Sequence, residues 1–314
     1  MIKDTDGTSF EEMRTIEQEL TFTEAKCTFD KYHVDFSKEK FVALGLRHVK
    51  DGMYTNLAEI LSDQCKHTVK IAVFQDADNL MFKDAKEFGG SIFKQLNDSY
   101  EYLTLCNRTM ATYRGLERVE HSDYPESALR EAMLNALIHR DYSYSGSIII
   151  NVNDNAMEFI SLGGLLPGIT TEDIKNGISQ PRNAKLAAIF HRLRLIESYG
   201  TGIRKIYSLY KDEAVQPQIL VTDNTFKLVL PNMNLNHVVN EIAELEVEKS
   251  STKITPQMQM VIDYLRDYDE ISDNDLQELL NIKKTRAYVL TRQMAKMGLI
   301  NISGRGKSRK YQLK

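Results

Sequence analysis

Hydrophobic positions along the chain switch between a helical period and a strand period, and the switches mark its segments. Residues 124–142 read YPESALREAMLNALIHRDY. Here Leu129, Ala132, Met133, Ala136 and Leu137 recur at the i, i+3, i+4, i+7, i+8 spacing of a helix with one buried face. Asp123 and Glu126, with Pro125 between them, predict a capping-box start with the proline in the first turn. Two β-rich runs follow, SIIINVN and AMEFISL, joined by Asp154-Asn155, which predicts a hairpin. After LGGLLPG comes a mostly helical tract to about Tyr210. Then PQILVTDNTFKLVLP predicts a second hairpin, turning at Asp223-Asn224 and closed by Pro231.

Upstream the pattern is less regular. SFEEMRTIEQEL has helical spacing, and TNLAEILSDQC reads as a helix leading into VKIAVFQ, a short apolar strand. FKDAKEFGGSIFKQLNDSYEYLTL reads as one long helix interrupted at Gly89-Gly90. Near the other end, Met258, Val261, Ile262 and Leu265 line one helix, and Ser272 caps a shorter one, SDNDLQELL. A turn at Asn281-Ile282 leads into KKTRAYVLTRQMAKMG, with Ala287, Leu290, Met294 and Met297 on its core stripe and Gly298 as its stop. LINISGRGKSRKYQL then gives two short strands. Three helices and a β-wing in about 60 residues make the winged helix-turn-helix pattern.

The expected fold class is α+β. An α/β sandwich at 121–235 is preceded by an α/β segment at 51–120 and a smaller region at 1–50. A polar, acidic linker at 236–252 and a winged helix at 253–314 follow.

Charge adds a contrast. The net charge is −4, yet residues 279–314 hold ten Lys or Arg and no Asp or Glu, leaving 30 basic against 44 acidic residues elsewhere, or −14. Such segregation predicts a basic module on an acidic partner, with double-stranded DNA as the ligand of the basic part. Lys283, Lys284, Arg286 and Arg292 surround the third helix, and Arg305, Lys307, Arg309 and Lys310 lie on the wing. Thr285, Arg286 and Tyr288 are the candidates for base-edge contacts. Gly304-Arg305-Gly306-Lys307-Ser308 imitates a P-loop end, but Asn301 stands where the first glycine belongs, so it reads as a wing turn. The 42% hydrophobic share is that of a globular protein. No stretch reaches the ~20 apolar residues of a membrane span, and MIKDTDGTSFEEM lacks a signal-peptide core. The three cysteines, Cys27, Cys65 and Cys106, lack metal-ligand spacing and read as reduced, mostly buried thiols. These features predict a cytoplasmic protein without a membrane partner.

Candidate chemistry concentrates in the central segment. Glu131, Asn135 and His139 are spaced four apart, one polar stripe on the first helix. A carboxylate and an amide one turn apart suit a magnesium–nucleotide site: the Asn oxygen can ligate Mg²⁺ and the Glu can act as base toward a water. Gly163-Gly164 leaves the first hairpin, and Gly200-Thr201-Gly202 opens another helix, where glycines let backbone N–H groups approach a phosphate. Arg182 and Asn183, after a proline, can reach either such a ligand or the backbone. His139 reads either as part of the phosphate loop with Arg140 and Asp141 or as a partner of the helix dipole.

The order of these motifs resembles the GHKL ATPase superfamily. Glu131 and Asn135 fall on its N-box, Gly163-Gly164 on its first glycine box, and Gly200 and Gly202 on its second. TFKLVLP falls on its last strand. YPESALREAMLNALIHRDYS, SLGGLLPG, SQPRN and IESYGTGIRKI look like the divergent branch found in Schlafen/AlbA-type bacterial transcriptional regulators, often labelled RecG-related and commonly ending in a winged helix. The resemblance implies ATP with Mg²⁺ bound through Asn135, and makes region 1–50 a remnant of an AlbA-like domain. The superfamily's adenine-binding Asp corresponds to Ser161, and a further glycine to Leu165. Three functions therefore stand side by side. The leading one is a homodimeric DNA-binding regulator whose GHKL-like domain senses ATP or mediates dimerisation. The others are a Mg²⁺-dependent ATPase of DNA metabolism using Glu131 as base, and a GHKL-fold scaffold that binds no nucleotide.

Overall fold

The computed structural model describes residues 9–76, 78–114, 116–197, 200–235, 254–303 and 309–314. They divide into two compact units, Met1–Asn232 and Met233–Lys314.

The first unit opens with two short helices, α1 (Thr23–Lys31) and α2 (Asn56–Leu61), followed by strands β1 (Val69–Phe74) and β2 (Phe82–Phe88). Helix α3 (Ile92–Cys106) leads to a separate hairpin, β3 (Thr109–Arg114) and β4 (Glu117–Ser122). Then come α4 (Glu126–Ile138), β5 (Ile148–Val152), β6 (Ala156–Leu162), α5 (Thr171–Lys175), α6 (Ala184–Arg192), α7 (Thr201–Leu209), β7 (Gln218–Val221) and β8 (Thr225–Pro231).

Six strands form one mixed sheet in the order β2-β1-β5-β6-β8-β7, in which only β1 and β5 run parallel. Alternation makes it one-sided: Val69, Ile71, Ile148, Ile150, Met157, Phe159, Leu228 and Leu230 are buried, while neighbours such as Lys70, Glu158 and Lys227 turn outward. Ala128, Leu129, Ala132, Met133, Ala136 and Leu137 of α4 are buried with them. At roughly 2 kcal/mol for each large aliphatic side chain removed from water, this layer is the main stabiliser of the unit.

Several expectations change. FKDAKEF is strand β2, not the first half of a helix, and the helix begins only after Gly90, whose φ of +81° breaks the chain direction. Region 51–120 thus supplies two strands to the same sheet as the hairpins at 148–162 and 218–231. SFEEMRTIEQEL makes a single 3-10 turn, Phe10–Glu12. The reason is tertiary: the buried Glu11 carboxylate accepts from Lys185 N at 2.7 Å and Leu186 N at 2.9 Å, capping α6. Described residues before β1 contain isolated bridges, Arg14 with Thr55 and Arg47 with Tyr54, and no strand. Asp123 does not cap α4. The N-cap is Pro125, and Asp123 pairs with Arg108 at 3.3 Å. Of the thiols, Cys65 is buried, Cys106 half-buried and Cys27 exposed.

The second unit holds α8 (Pro256–Asp267), β9 (Ile271–Ser272), α9 (Asp273–Leu280), α10 (Lys284–Lys296), β10 (Ile300–Ser303) and β11 (Lys310–Leu313). Thr255 caps α8, and Ser272 with Asp275 forms a capping box on α9. Asn281, in the left-handed region at φ +48°, ends α9. The three strands pair antiparallel in the order β10-β11-β9. Met258, Val261, Leu276, Leu290, Met294 and Tyr311 belong to its own apolar core. The linker expected at 236–252 lies outside the described residues.

Candidate functional site

Helix α4 presents Glu131 and Asn135 to the first turn of α7. A Cβ on Gly202 would lie 3.0 Å from Glu131 Oε2 and 3.4 Å from Asn135 Nδ2, so the glycine is what lets the two helices meet there. Gly200 stands at the N-cap of α7 with φ +61°, and a Cβ there would sit 2.0 Å from the carbonyl oxygen of Gly177. A left-handed backbone disfavours a side chain, and that gap admits none. Asn135 Nδ2 donates to Glu131 O at 2.7 Å, which turns the amide so that its oxygen is the group offered to a cation. Glu131 Oε1 accepts from Arg130 Nη1 at 2.9 Å and lies 3.6 Å from Lys205 Nζ.

The second glycine turn is held as tightly. Gly163 has φ +100° and faces the Asp141 Cβ, while a Cβ on Gly164 would lie 2.4 Å from Thr222 O. Arg182 ties this turn down: Nη2 donates to Gly164 O at 2.7 Å, and Nη1 lies 3.5 Å from Asp141 Oδ2. Asp141 Oδ1 in turn accepts from the Ser143 N–H at 2.9 Å and from its hydroxyl.

Between these turns lie two adjoining cavities that share Asn135, His139, Ser179, Gly200 and Gly202. The smaller, about 100 Å³, is walled by Leu165, Leu166, Ile169, Ile174, Ile178, Ile203 and Phe226. The larger, about 690 Å³, is rimmed by Arg130, Glu131, His191, Arg192, Arg194 and Lys205 and floored by the start of α7. An apolar recess opening onto a cationic cleft at a helix N-terminus suits a flat ring carrying an anionic tail.

His139 lines both cavities. Burial, and then the Arg182 guanidinium, push its pKa down to about 4, so the imidazole is neutral near pH 7. A neutral ring is attracted to a helix C-terminus less strongly than an imidazolium would be. It remains a donor or acceptor for a ligand.

Other candidates are drawn elsewhere. Arg140, 1% exposed, donates from Nη2 to Tyr144 O at 3.0 Å and to Gly146 O, and also meets His67 Nδ1, pinning its own loop. Asn183 is buried, and its Nδ2 donates to Ile138 O at 2.8 Å and Arg140 O at 2.7 Å. That amide closes the end of α4 and does not face the cleft. Ser161 is buried in β6 and is absent from the lining of either cavity. Thr201 lines the larger cavity, with its hydroxyl on Glu197 at 3.0 Å. Sequence reasoning missed Arg130, Arg192, Arg194 and Lys205. For Lys205 a signal existed, since it lies three residues beyond Gly202 on the same helix. Arg192 ends α6 and Arg194 follows it, and no local pattern encodes where that helix end packs.

In the second unit, Lys283, Lys284, Thr285 and Arg286 are consecutive and exposed where α10 begins, and Arg292 is exposed one and a half turns on. Two guanidinia lie near the Tyr288 ring, Arg292 at 5.8 Å and Arg309 at 5.3 Å from its centroid, and its hydroxyl accepts from Arg292 Nε at 3.2 Å. Lys310 pairs with Glu270 and Tyr311 with Asp273, so acidic neighbours upstream in sequence come to the strands that looked wholly basic. Arg305 and Lys307 lie outside the described residues.

Residues 146–230 match a protein family described as "Putative ATP-dependent DNA helicase recG C-terminal". The chain carries a divergent ATPase-like domain. The matched span includes both glycine turns and the apolar recess but begins after α4, so Glu131 and Asn135 join the site by geometry rather than by that match. The chain is also similar to the crystal structure of the DIP2311 protein from Corynebacterium diphtheriae, with a TM-score of 0.63 at 18% identity. That likeness covers 98% of this chain, which spans 64% of the other's length, and concerns the fold alone. No curated protein matches the sequence. Among the described residues no helix is long and apolar enough to cross a membrane.

Proposed function

We propose that the chain is a DNA-binding transcriptional regulator in which a GHKL-like domain binds an adenine nucleotide and a winged helix at 253–314 binds double-stranded DNA, working as a homodimer. The observation that carries the nucleotide reading is the convergence of Glu131 and Asn135 on the glycine-opened first turn of α7, at a cationic cleft backed by an apolar recess. The donor set fits the ligand. Leu166, Ile174, Ile178 and Phe226 would hold the base, while the N–H groups at the start of α7 with Lys205 and Arg192 would hold phosphates. Among the described residues no group of three His, Cys, Asp or Glu makes a metal site of its own, so Mg²⁺ would be held by Asn135 together with the nucleotide. When bound, Mg²⁺ and ATP would supply a polarised phosphoanhydride. The protein's part is to orient it and exclude water.

The DNA reading is supported by the exposed run Lys283, Lys284, Thr285 and Arg286 at the start of a helix whose other face is core. Such a helix end enters a major groove with its side chains on base edges, and the adjoining strands lie against phosphates. The surrounding three-helix, three-strand arrangement supports the winged-helix reading, and the central motif order supports the likeness to the Schlafen/AlbA-type regulators.

A second reading, ATP hydrolysis with Glu131 as base, is favoured by the position of its carboxylate beside the α7 N-terminus. Three assays separate the three readings. Thermal unfolding with and without an ATP analogue and Mg²⁺ should shift upward, by about 2.7 kcal/mol of stability at a hundredfold excess over Kd. Gel shifts of genomic fragments at low salt should retard DNA. Absence of any adenine-nucleotide shift leaves the scaffold, and absence of DNA binding removes the regulator. Phosphate release abolished in Glu131→Ala would establish the ATPase.

A further inference from the structure

Strand β2 closes one end of the six-stranded sheet, and among the described residues no strand pairs with its outer side. Residues 82–87 are all exposed. The direction of its free backbone groups follows from β1. Thr68 O accepts from Ile148 N, so the even-numbered residues of β1 address β5, and Val69, Ile71 and Val73 address β2. Their partners there are Phe88, Lys86 and Asp84. Alternation leaves Lys83, Ala85 and Glu87 with N–H and C=O at the open edge. The Ala85 N–H bears this out by donating to the adjacent Asp84 Oδ1 at 2.9 Å.

The edge reads Phe-Lys-Asp-Ala-Lys-Glu-Phe, and its charges are opposite about the centre. We propose that two copies of this chain join their β2 strands antiparallel about a two-fold axis at Ala85, making one continuous sheet. In that register Ala85 meets its own counterpart with both outward groups paired. Lys83 faces Glu87 and Asp84 faces Lys86, each twice by symmetry, with Phe82 toward Phe88. Slipping one strand by two residues keeps the backbone pairing but sets Asp84 on Asp84 in one direction and Lys86 on Lys86 in the other. Charges on an edge strand ordinarily repel all comers. Here they repel the neighbouring registers and accept one, which is how a self-complementary interface specifies itself.

Two features set the extent of the contact. The register shift between Val73 and Phe74 kinks the Phe82 end, so the charge match rests on residues 83–87. Leu80, Met81 and Phe82, 76, 60 and 64% exposed, adjoin that end and supply apolar surface for the second copy to cover. The inference does not depend on what the cleft or the basic helix binds.

Sedimentation of the full chain from low to high micromolar concentration tests it. The expected species is a dimer. Ala85→Pro removes an N–H that β1 does not use, and Lys86→Asp sets two Asp opposite each other. Each should raise the dimer Kd at least about tenfold with unfolding of the monomer unchanged. The double variant Asp84→Lys/Lys86→Asp restores opposite charges across the axis and should restore the dimer, which a variant that merely unfolds cannot do. A wild-type chain monomeric throughout, or a dimer indifferent to both single variants, overturns the proposal.

Discussion

The nucleotide-type cleft and the basic face of α10 are built on opposite plans. The cleft draws Glu131, Gly163, Arg182 and Gly200 from four separate stretches, and the last three are each fixed by backbone packed within ångströms of them. The basic face is four consecutive residues at one helix end, all exposed. The first plan depends on tertiary contacts and fails when one is lost. The second is a local charge display, and it should tolerate substitution without loss of fold.

The largest expected effect is at Gly200. A Gly200→Val side chain has to share space with Gly177 O in a left-handed backbone, so the first unit should lose about 2–4 kcal/mol in denaturant unfolding. Arg286→Ala in the second unit should leave both transitions within about 0.5 kcal/mol of wild type. Equal losses in the two variants would erase the contrast.

Acid should divide the units next. His67 and His139 both have folded pKa values of about 4, below the ordinary 6.5, because burial disfavours the cation. Lowered folded values mean that the unfolded chain binds more protons between about pH 6.5 and 4. The first unit should therefore lose stability as pH falls through that window. The described residues of the second unit contain no histidine, and its transition should lack this slope. Urea unfolding followed at pH 7 and pH 5, with His139→Gln as the comparison, reads the difference. A wild-type slope retained in His67→Gln/His139→Gln would refute it.

Smaller effects concern the ligands. Lys205→Ala should weaken adenine-nucleotide binding by roughly tenfold in calorimetry, about 1.4 kcal/mol, and leave DNA retardation unchanged. Lys284→Ala should do the reverse, lowering the slope of log K against log salt by about 0.9 in DNA titrations without altering nucleotide affinity. Crossed effects would couple the two sites energetically.

How far local pattern carries can be seen in particular elements. The helix at 126–138 and the hairpins at 148–162 and 218–231 follow their periodicity, because each has one face in the core and water selects the other. FKDAKEF misleads for the opposite reason: exposed along nearly its whole length, it has no buried face to imprint an alternation. Its strand geometry comes from pairing with β1 and from Phe74–Phe82 and Phe88–Tyr102 ring contacts. Asp123 and Asn183 show the same limit at single residues. Both have polar side chains beside a helix terminus, yet Arg108 in one case and the carbonyls of Ile138 and Arg140 in the other decide what they do.

By itself the amino-acid sequence determined the elements with a sided hydrophobic pattern, the concentration of positive charge near α10, and the glycines that no other residue can replace. Those properties depend on water, charge and backbone sterics acting within a few residues. Only the tertiary structure decided that β1 and β2 join the central sheet and that Lys205, Arg130, Arg192 and Arg194 rim the cleft. It also decided that Arg140 and Asn183 brace the fold rather than face a ligand. Each of those outcomes turns on which distant backbone arrives to satisfy a buried polar group or an open strand edge, and no local pattern contains the partner.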